Sequence, residues 1–364
     1  MVRAYLDPTS LQSRGDHASW SDTQMHAHKR PPRRDVGRGL TGASPAAVIS
    51  PRRCIAPPAQ VSAPPRHASQ SAPRWGAATA GCPCNAAPRP RASQAATAAV
   101  VAGALLAAVP ASIAIDAAID RATDRVGRVA NTATPGGTRL YVARPQGAPP
   151  QDKGWPALVL VHQIFGLQPR EAGLCDDLAA SGFVAAAPDT FGGAATHWIP
   201  RALAVAYPRA LKAGATWGVD EVADAVEWLK QQPGVDPGRV AVAGFCYGGA
   251  SALRCAAAHP AGAAAVGVFY GRPLAGDGAA GGYRGLAGAG VPVYAVFGGR
   301  DSQFSPAAVD AFEAELAAAG VACEFKRYPS QGHAFIADVE ATRRPGSDSA
   351  DAWGGFLDFL RRRV

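Results

Sequence analysis

Cysteine is scarce in this sequence and follows no metal-binding or disulfide pattern. Seven cysteines in 364 residues are far too few for a disulfide scaffold. None are paired at the C-x-x-C spacing that structural zinc sites use, so no zinc site is expected. Four of them lie in the second part of the chain, where Cys175, Cys255 and Cys323 are expected to be buried, reduced thiols.

Acidic residues are nearly absent from the first 100 positions, which carry 13 Lys and Arg against four Asp. The net charge of +8 therefore belongs to this part, and the rest of the chain is close to neutral. A near-neutral domain lacks the basic field that attracts nucleic acid. No nucleic-acid partner is expected for the folded part of the protein.

Residues 1–95 lack any sustained hydrophobic period and hold 13 of the 31 prolines. We expect a disordered leader, because this segment cannot bury enough apolar surface to offset the entropy of ordering. Its basic, acid-poor composition is typical of an organellar transit peptide, with the chloroplast preferred over the mitochondrion. The alternatives are a tail without an address and a retained basic tail that binds nucleic acid or anionic membrane. Three of the four acids precede Met25, which makes Met25 a candidate start of translation.

One long uncharged run, residues 97–115 within the segment 96–118, is mostly alanine and just long enough to span a bilayer. Three interpretations stay open. The run is a second-stage signal for export into the thylakoid lumen, with a peptidase site near Ala114; or it is a membrane anchor; or it is a plain helix. A membrane partner is expected only if the run is retained as an anchor.

From residue 120 to 364 the pattern changes to strand-like apolar runs that alternate with amphipathic segments. Regular alternation of this kind predicts an α/β domain with a mostly parallel sheet and helices on both faces. Ser305 and Pro306 predict the start of one helix, and Gly320 predicts its end. The predicted strands are 139–143 at the sheet edge, 157–161, 183–187, 239–243, 264–269, 291–297 and 323–328.

The sharpest local motif is Gly244-Phe-Cys-Tyr-Gly-Gly249, between a predicted strand and a predicted helix. This is the context of a nucleophile elbow, in which small flanking residues leave the nucleophile exposed at the strand end. We expect the helix N-terminus to lower the pKa of the Cys246 thiol and to favour the attacking thiolate. The backbone N–H of Tyr247 then supplies one donor of an oxyanion hole.

Two further residues complete a catalytic constellation. Asp301 and His333 each follow a predicted strand, and ligands of open α/β sheets collect at these carboxyl ends. Nucleophile, acid and histidine occur in the chain order of an α/β-hydrolase. Cys246 would attack a carbonyl carbon, His333 would move the proton, and Asp301 would orient the imidazole.

The loop after the strand 157–161 is predicted to add a second oxyanion donor, the backbone N–H of Ile164. Five short motifs occur together, namely H-Q-I-F-G-L at 162–167, A-P-D at 187–189, G-F-C-Y-G-G at 244–249, G-G-R-D at 298–301 and G-H-A-F at 332–335. From about residue 135 onward the sequence thereby resembles the dienelactone hydrolase family, the carboxymethylenebutenolidases and their relatives. The resemblance implies an α/β-hydrolase fold, a Cys–Asp–His triad, a monomer, and hydrolysis of small activated esters or enol-lactones without a metal or other cofactor.

Two positions depart from the pattern of that family. Gln163 stands where the family commonly has a Glu that helps to switch the cysteine between thiol and thiolate, and an amide cannot accept that proton. No arginine follows His333 closely, although the family's dienelactone cleavers bind the substrate carboxylate with one. Arg201, beside Trp198 in the long excursion from 189 to 217, is a candidate replacement cation, and a solvated loop arginine is the alternative.

The sequence therefore leaves two functional classes open. The first is a carboxylic ester or lactone hydrolase that forms an acyl-enzyme with a small-molecule substrate. The second is a catalytically impaired hydrolase-fold protein that serves as a binding or redox-sensing module, an alternative that Gln163 supports. The substrate is not encoded in any motif, because loops set specificity on this fold.

Overall fold

The computed structural model describes residues 92–150, 153–212, 214–274 and 279–364. Apart from its last four residues, the predicted leader at 1–95 lies outside these ranges, as does the candidate start at Met25.

One sheet of eight strands forms the centre of the described part. The strands are β1 (Thr132–Ala133), β2 (Arg139–Ala143), β3 (Trp155–Val161), β4 (Val184–Pro188), β5 (Val235–Phe245), β6 (Val266–Phe269), β7 (Val293–Gly298) and β8 (Cys323–Tyr328). Their order across the sheet is β1-β2-β4-β3-β5-β6-β7-β8. Strand β2 runs antiparallel to both of its neighbours, and every other pair is parallel.

Helices connect the parallel strands and flank the sheet, so the predicted mostly parallel α/β fold is confirmed. The helices are α1 (Ala92–Thr123), α2 (Pro169–Ala180), α3 (Ile199–Ala206), α4 (Val219–Lys230), α5 (Tyr247–Ala258), α6 (Ala279–Gly288), α7 (Pro306–Ala318), α8 (Val339–Arg343) and α9 (Asp348–Arg363). A π-helical turn, Tyr207–Leu211, continues α3, and a 3-10 turn, Pro260–Gly262, follows α5.

The central strands are apolar at consecutive positions because both faces of the sheet are covered. Every residue of β4, β6 and β7 is buried, and so are the last five residues of β3. Each fully buried Val or Leu side chain contributes roughly 1.5–3 kcal/mol to the stability of the fold. This core holds the carboxyl ends of the strands, and hence the residues that follow them, in fixed positions.

The predicted edge position of the strand 139–143 is wrong, because β1 pairs with β2 on its outer side. Strand β1 contains only Thr132 and Ala133, both exposed. Two residues are too few to produce the alternation by which a strand is recognised in a sequence.

The apolar run 97–115 lies within α1, which continues to Thr123. Asp116 and Asp120, from the last turns of α1, bind Arg201 in α3. The last turns of α1 therefore contact the segment between β4 and α4. In the described ranges, no helix combines the length and the apolar character that crossing a bilayer requires.

Candidate active site

Cys246 is the single residue between β5 and α5, and its backbone is strained. Its φ and ψ angles are 55° and −114°, a region that residues with a side chain rarely adopt. A Cβ atom on Gly244 would overlap the backbone of Gly248, and one on Gly248 would overlap the carbonyl oxygen of Val161. Both glycines of the elbow are therefore required by close backbone packing.

Burial controls the protonation of this cysteine. It raises the pKa of the Cys246 thiol to about 11, from an ordinary value of 9.0, and the hydrogen bond from the Tyr247 N–H opposes it only in part. The expectation that the helix N-terminus lowers this pKa is therefore wrong for the resting protein, because removing a thiolate from water costs more than one backbone donor returns. The thiol is neutral at pH 7.

Asp301 follows β7, His333 follows β8, and the two side chains meet. His333 Nδ1 lies 2.8 Å from Asp301 Oδ2. The other carboxylate oxygen of Asp301 accepts hydrogen bonds from the backbone N–H groups of Gln303 and Phe304, at 2.7 and 3.2 Å. The carboxylate is thus anchored by the start of the next loop and is placed to fix the ring of His333.

The second nitrogen of His333 is the unusual atom of the site. A carboxylate at Nδ1 favours the tautomer that carries its proton there, which leaves a lone pair on Nε2. Nε2 is buried and has no hydrogen-bond partner among the described residues. The ring also packs edge-on against Tyr270, with centroids 5.2 Å apart. A buried, unpartnered acceptor of this kind is suited to take a proton.

A cavity of about 120 Å³ adjoins Cys246. Ile164 and Tyr247, the two residues predicted to supply oxyanion donors, both line it. Among the described residues that line it, Arg272 is the only charged one. The remaining lining residues are mostly apolar, namely Leu203, Ala206, Ala210, Leu211, Trp217, Tyr270, Gln303 and Phe304.

Arg272 was not predicted from the sequence, although a signal for it exists. It stands two positions after Tyr270, which itself follows the last residue of β6. The strand-end rule that identified Asp301 and His333 therefore applies to it as well. Its positive charge opposes the burial effect on the pKa of Cys246, and it forms no ion pair within the described ranges.

Gln163 lies near the elbow but lines a different cavity, of about 440 Å³, together with Arg170 and His197. Its side chain makes no hydrogen bond to any described residue. Its backbone carbonyl, in contrast, accepts from His162 Nδ1, at 2.6 Å, and from the Gly166 N–H, at 3.3 Å. The backbone of Gln163 is thus held by two hydrogen bonds, whereas its buried side chain forms none with the described residues.

Arg201 does not reach the cavity, which corrects its predicted role as a substrate-binding cation. The residue is 5% exposed, and its guanidinium bonds to Asp116 Oδ2 at 2.8 Å and to Asp120 Oδ2. Burial alone would raise the pKa of Asp116, but hydrogen bonds from arginine and threonine side chains hold it well below its usual range. Both partners lie in α1, more than 80 residues earlier, so no local pattern could predict the pairing. Trp198, at the start of α3, is also absent from the lining of the cavity.

The other cysteines of the described part are free thiols. Cys175 and Cys255 are buried, as predicted, and Cys323 is half-buried. Burial raises the pKa of all three. Among the described residues, no group of three or more His, Cys, Asp and Glu side chains is placed to hold a metal ion.

Comparison with known proteins identifies the family of this chain. The profile of the dienelactone hydrolase family matches residues 139–364. A carboxymethylenebutenolidase of Rhodococcus opacus is 30% identical over 221 residues, which cover 56% of this chain and 80% of that protein. A provisionally named carboxymethylenebutenolidase of Methylorubrum extorquens is 29% identical over 221 residues, which cover 59% of this chain and 74% of that protein.

A solved structure shares the fold. It is a dienelactone hydrolase-like promiscuous phosphotriesterase from metagenomic libraries, with a TM-score of 0.51 and 24% identity over 62% of this chain and 92% of that one. The profile match extends over more than half of the sequence, from β2 to the last residue. The chain therefore belongs to the dienelactone hydrolase family.

Proposed function

We propose that this protein hydrolyses small carboxylic esters or lactones through an acyl-enzyme on Cys246. The observation that carries the proposal is the buried Nε2 of His333, which has no partner among the described residues while Nδ1 is held by Asp301. Membership of the family makes the chain a carboxylic ester hydrolase, and the proposal concerns how it acts and on what.

The first half of the reaction forms a thioester. His333 Nε2 takes the thiol proton as Cys246 Sγ attacks the carbonyl carbon of the substrate. The N–H groups of Tyr247 and Ile164 stabilise the negative charge that develops on the carbonyl oxygen. His333 then returns the proton to the leaving alkoxide or enolate, and Asp301 keeps the ring oriented throughout.

The second half releases the acid. Water enters where the leaving group was, His333 removes a proton from it, and the hydroxide attacks the thioester carbonyl. The thiolate leaves and takes the proton back from His333. Every proton is handled by one imidazole, because the amide of Gln163 cannot accept one.

The raised pKa of Cys246 has a consequence for this cycle. Since the resting thiol is neutral, attack requires proton transfer at the moment when the substrate is bound. A neutral resting thiol is also less open to oxidation and alkylation than a thiolate. The site is therefore expected to react with esters faster than with general thiol reagents.

The cavity limits the substrate. A volume of about 120 Å³ with a mostly apolar wall suits a short acyl group or a small lactone ring. Arg272 adds one positive charge at the wall. We expect substrates that carry an anionic group a few atoms from the scissile bond to be preferred over neutral ones of equal size.

A second candidate function is that of a catalytically impaired binding or redox-sensing module. The observation that favours impaired catalysis is the side chain of Gln163, an amide that cannot accept the thiol proton and that lines a cavity other than that of Cys246. This alternative predicts ligand binding or slow thiol oxidation without turnover.

One experiment separates the two. The full chain is assayed with p-nitrophenyl acetate and with a panel of small enol esters and lactones, and mass spectrometry follows acylation. Turnover, together with an acyl adduct on the peptide that contains Cys246, supports the hydrolase. A folded protein that yields neither, while Cys246 still oxidises with peroxide, would sink the hydrolase in favour of the sensing module.

A further inference from the structure

His162 is a fully buried histidine whose two ring nitrogens both contact backbone. Nδ1 lies 2.6 Å from the carbonyl oxygen of Gln163, and Nε2 accepts a hydrogen bond of 3.2 Å from the N–H of Thr190. No step of the proposed reaction uses this side chain. Its position, directly after β3 and beside the loop that carries Ile164, gives it a different task.

The contacts fix the tautomer of the ring. A backbone carbonyl can only accept, so Nδ1 of His162, 2.6 Å from the Gln163 oxygen, carries a proton and donates it to that oxygen. In a neutral ring Nε2 is then unprotonated, and it accepts from the N–H of Thr190 at 3.2 Å and from the Thr190 hydroxyl at 3.0 Å. The Gly166 N–H donates to the same oxygen at 3.3 Å. Two donors, the ring of His162 and the N–H of Gly166, therefore hold the carbonyl of Gln163.

That carbonyl belongs to the same peptide unit as the N–H of Ile164. The unit is planar and trans, so its C=O and N–H point in opposite directions. Holding the Gln163 oxygen therefore also sets the direction of the Ile164 N–H. This N–H donates to no acceptor within the described ranges, and Ile164 lines the cavity of Cys246.

The same ring touches the other half of the oxyanion hole. His162 stacks on Tyr247, with centroids 5.8 Å apart and planes 17° apart, and packs edge-on against Phe191 at 4.7 Å. The Thr190 hydroxyl lies 3.0 Å from His162 Nε2 and 3.2 Å from the Tyr247 hydroxyl. One buried cluster thus connects the residues whose N–H groups would serve the oxyanion.

We propose that His162 is a positioning residue that aims the Ile164 N–H at the oxyanion of the acyl-transfer steps. The inference rests on the proposed hydrolase function and adds to it a residue that acts without touching the substrate. Loss of one oxyanion donor lowers kcat by about 10²–10³-fold in enzymes of this type. A misdirected donor should cost less, roughly 10- to 100-fold.

Two variants test the role of the ring nitrogens. His162→Phe keeps the ring and its stacking on Tyr247 but removes the donor to Gln163 and the acceptor for Thr190. His162→Asn restores a donor near the position of Nδ1. His259→Phe is the matched control, because His259 is exposed at the far end of α5. Thermal unfolding of each variant reports on the fold.

Two measurements on the full chain distinguish a positioning role from structural damage. One is kcat and KM for p-nitrophenyl acetate, which needs the oxyanion hole. The other is the alkylation of Cys246 by iodoacetamide, a displacement at a methylene carbon that forms no oxyanion. We expect His162→Phe to lower kcat roughly 10- to 100-fold, to leave KM and alkylation within about threefold, and His162→Asn to recover part of kcat.

The possible outcomes are distinct. Equal losses in turnover and alkylation, or an unchanged kcat in His162→Phe, overturn the positioning role and leave the hydrolase intact. A wild-type protein without turnover contradicts both the hydrolase proposal and the positioning role. Nitrogen-15 NMR of histidine-labelled wild type tests the geometry without catalysis, and a ring of His162 protonated on Nε2 instead of Nδ1 contradicts the inference.

Discussion

Two regions border the Cys246 cavity, and they are built in different ways. One is the carboxyl end of the parallel strands, called the sheet edge below. It places Cys246, Asp301 and His333 on short turns that are fixed by buried strands and by backbone hydrogen bonds. The excursion between β4 and α4 instead carries α3 and the π-helical turn, and it exposes large apolar side chains. These are Ile199, Leu203, Tyr207 and Leu211, which are 46–58% exposed.

The difference teaches where each property of the enzyme is encoded. At the sheet edge, local rules such as glycine at close backbone contacts decide the geometry. On the excursion, tertiary ion pairs from α1 hold the segment, and Leu203 and Leu211 reach the cavity. We therefore expect catalysis to depend on the first region, whereas the second supplies ion pairs and part of the cavity wall.

The largest effect is expected at the sheet edge. Cys246→Ala and His333→Ala should each lower kcat/KM for p-nitrophenyl acetate by at least roughly 10³-fold, since each removes a group that no neighbour replaces. Cys255→Ala is the matched control, because Cys255 is a buried thiol on the same helix α5. Steady-state kinetics measure the activity of each variant, and circular dichroism checks that each variant is folded. If Cys255→Ala were to lose as much activity as Cys246→Ala, the nucleophile would be misassigned.

The next largest effect is expected on the excursion, in stability. Arg201→Met leaves Asp116 paired with Arg125 but removes the ion pair of Asp120, whose carboxylate is buried. Breaking a buried pair from one side costs about 3–5 kcal/mol of unfolding free energy. Urea denaturation measures the change.

The control for this variant is Arg361→Met, which removes an exposed pair with Asp358 and should change stability by under about 1 kcal/mol. A stable Arg201→Met protein that has lost only its affinity for anionic substrates would restore the role predicted from the sequence.

The sequence predicted the sheet edge well because its determinants are local. The strands 139–143 and 323–328 agree with β2 and β8 to the residue. Helix α7 begins at Pro306 after an N-cap at Ser305, whose side chain accepts from the Ala308 N–H. Gly320, with a φ of +82°, follows its end. Apolar runs, caps and glycine turns each act within a few residues.

What the sequence missed depends on contacts that are distant along the chain. Arg201 was predicted to bind the substrate because its carboxylate partners lie in α1, more than 80 residues earlier along the chain. The pKa of Cys246 was predicted in the wrong direction because the burial of the thiol depends on the packing around it. The role of His162 depends on Thr190, 28 residues away.

A third effect is the pH dependence of the alkylation of Cys246. Because only the thiolate is alkylated, and burial raises the pKa of Cys246 to about 11, the alkylation rate should increase about tenfold per pH unit from pH 7 to 10. An ordinary thiol would level off near pH 9. Peptide mapping by mass spectrometry after timed exposure to iodoacetamide gives the rate at each pH. A plateau below pH 8 would show a thiolate paired with His333 in the resting protein.

The smallest effect is expected at the cavity wall, where Arg272 is the one charged residue within the described lining. Arg272→Gln should raise KM for an ester with a distal carboxylate by about three- to fivefold, as expected for one partly solvated charge pair. KM for a neutral ester of equal size should stay within about twofold. Arg272→Lys keeps the charge and should keep most of the preference.

Arg284→Gln, which removes an exposed arginine on α6, should leave both KM values unchanged. An equal rise for both esters in Arg272→Gln would mean that Arg272 supports the loop after β6 instead of recognising an anion. A selective rise would show that the segment after β6 also contributes to substrate choice. Selectivity would then be divided between a cation at a strand end and the apolar side chains of α3.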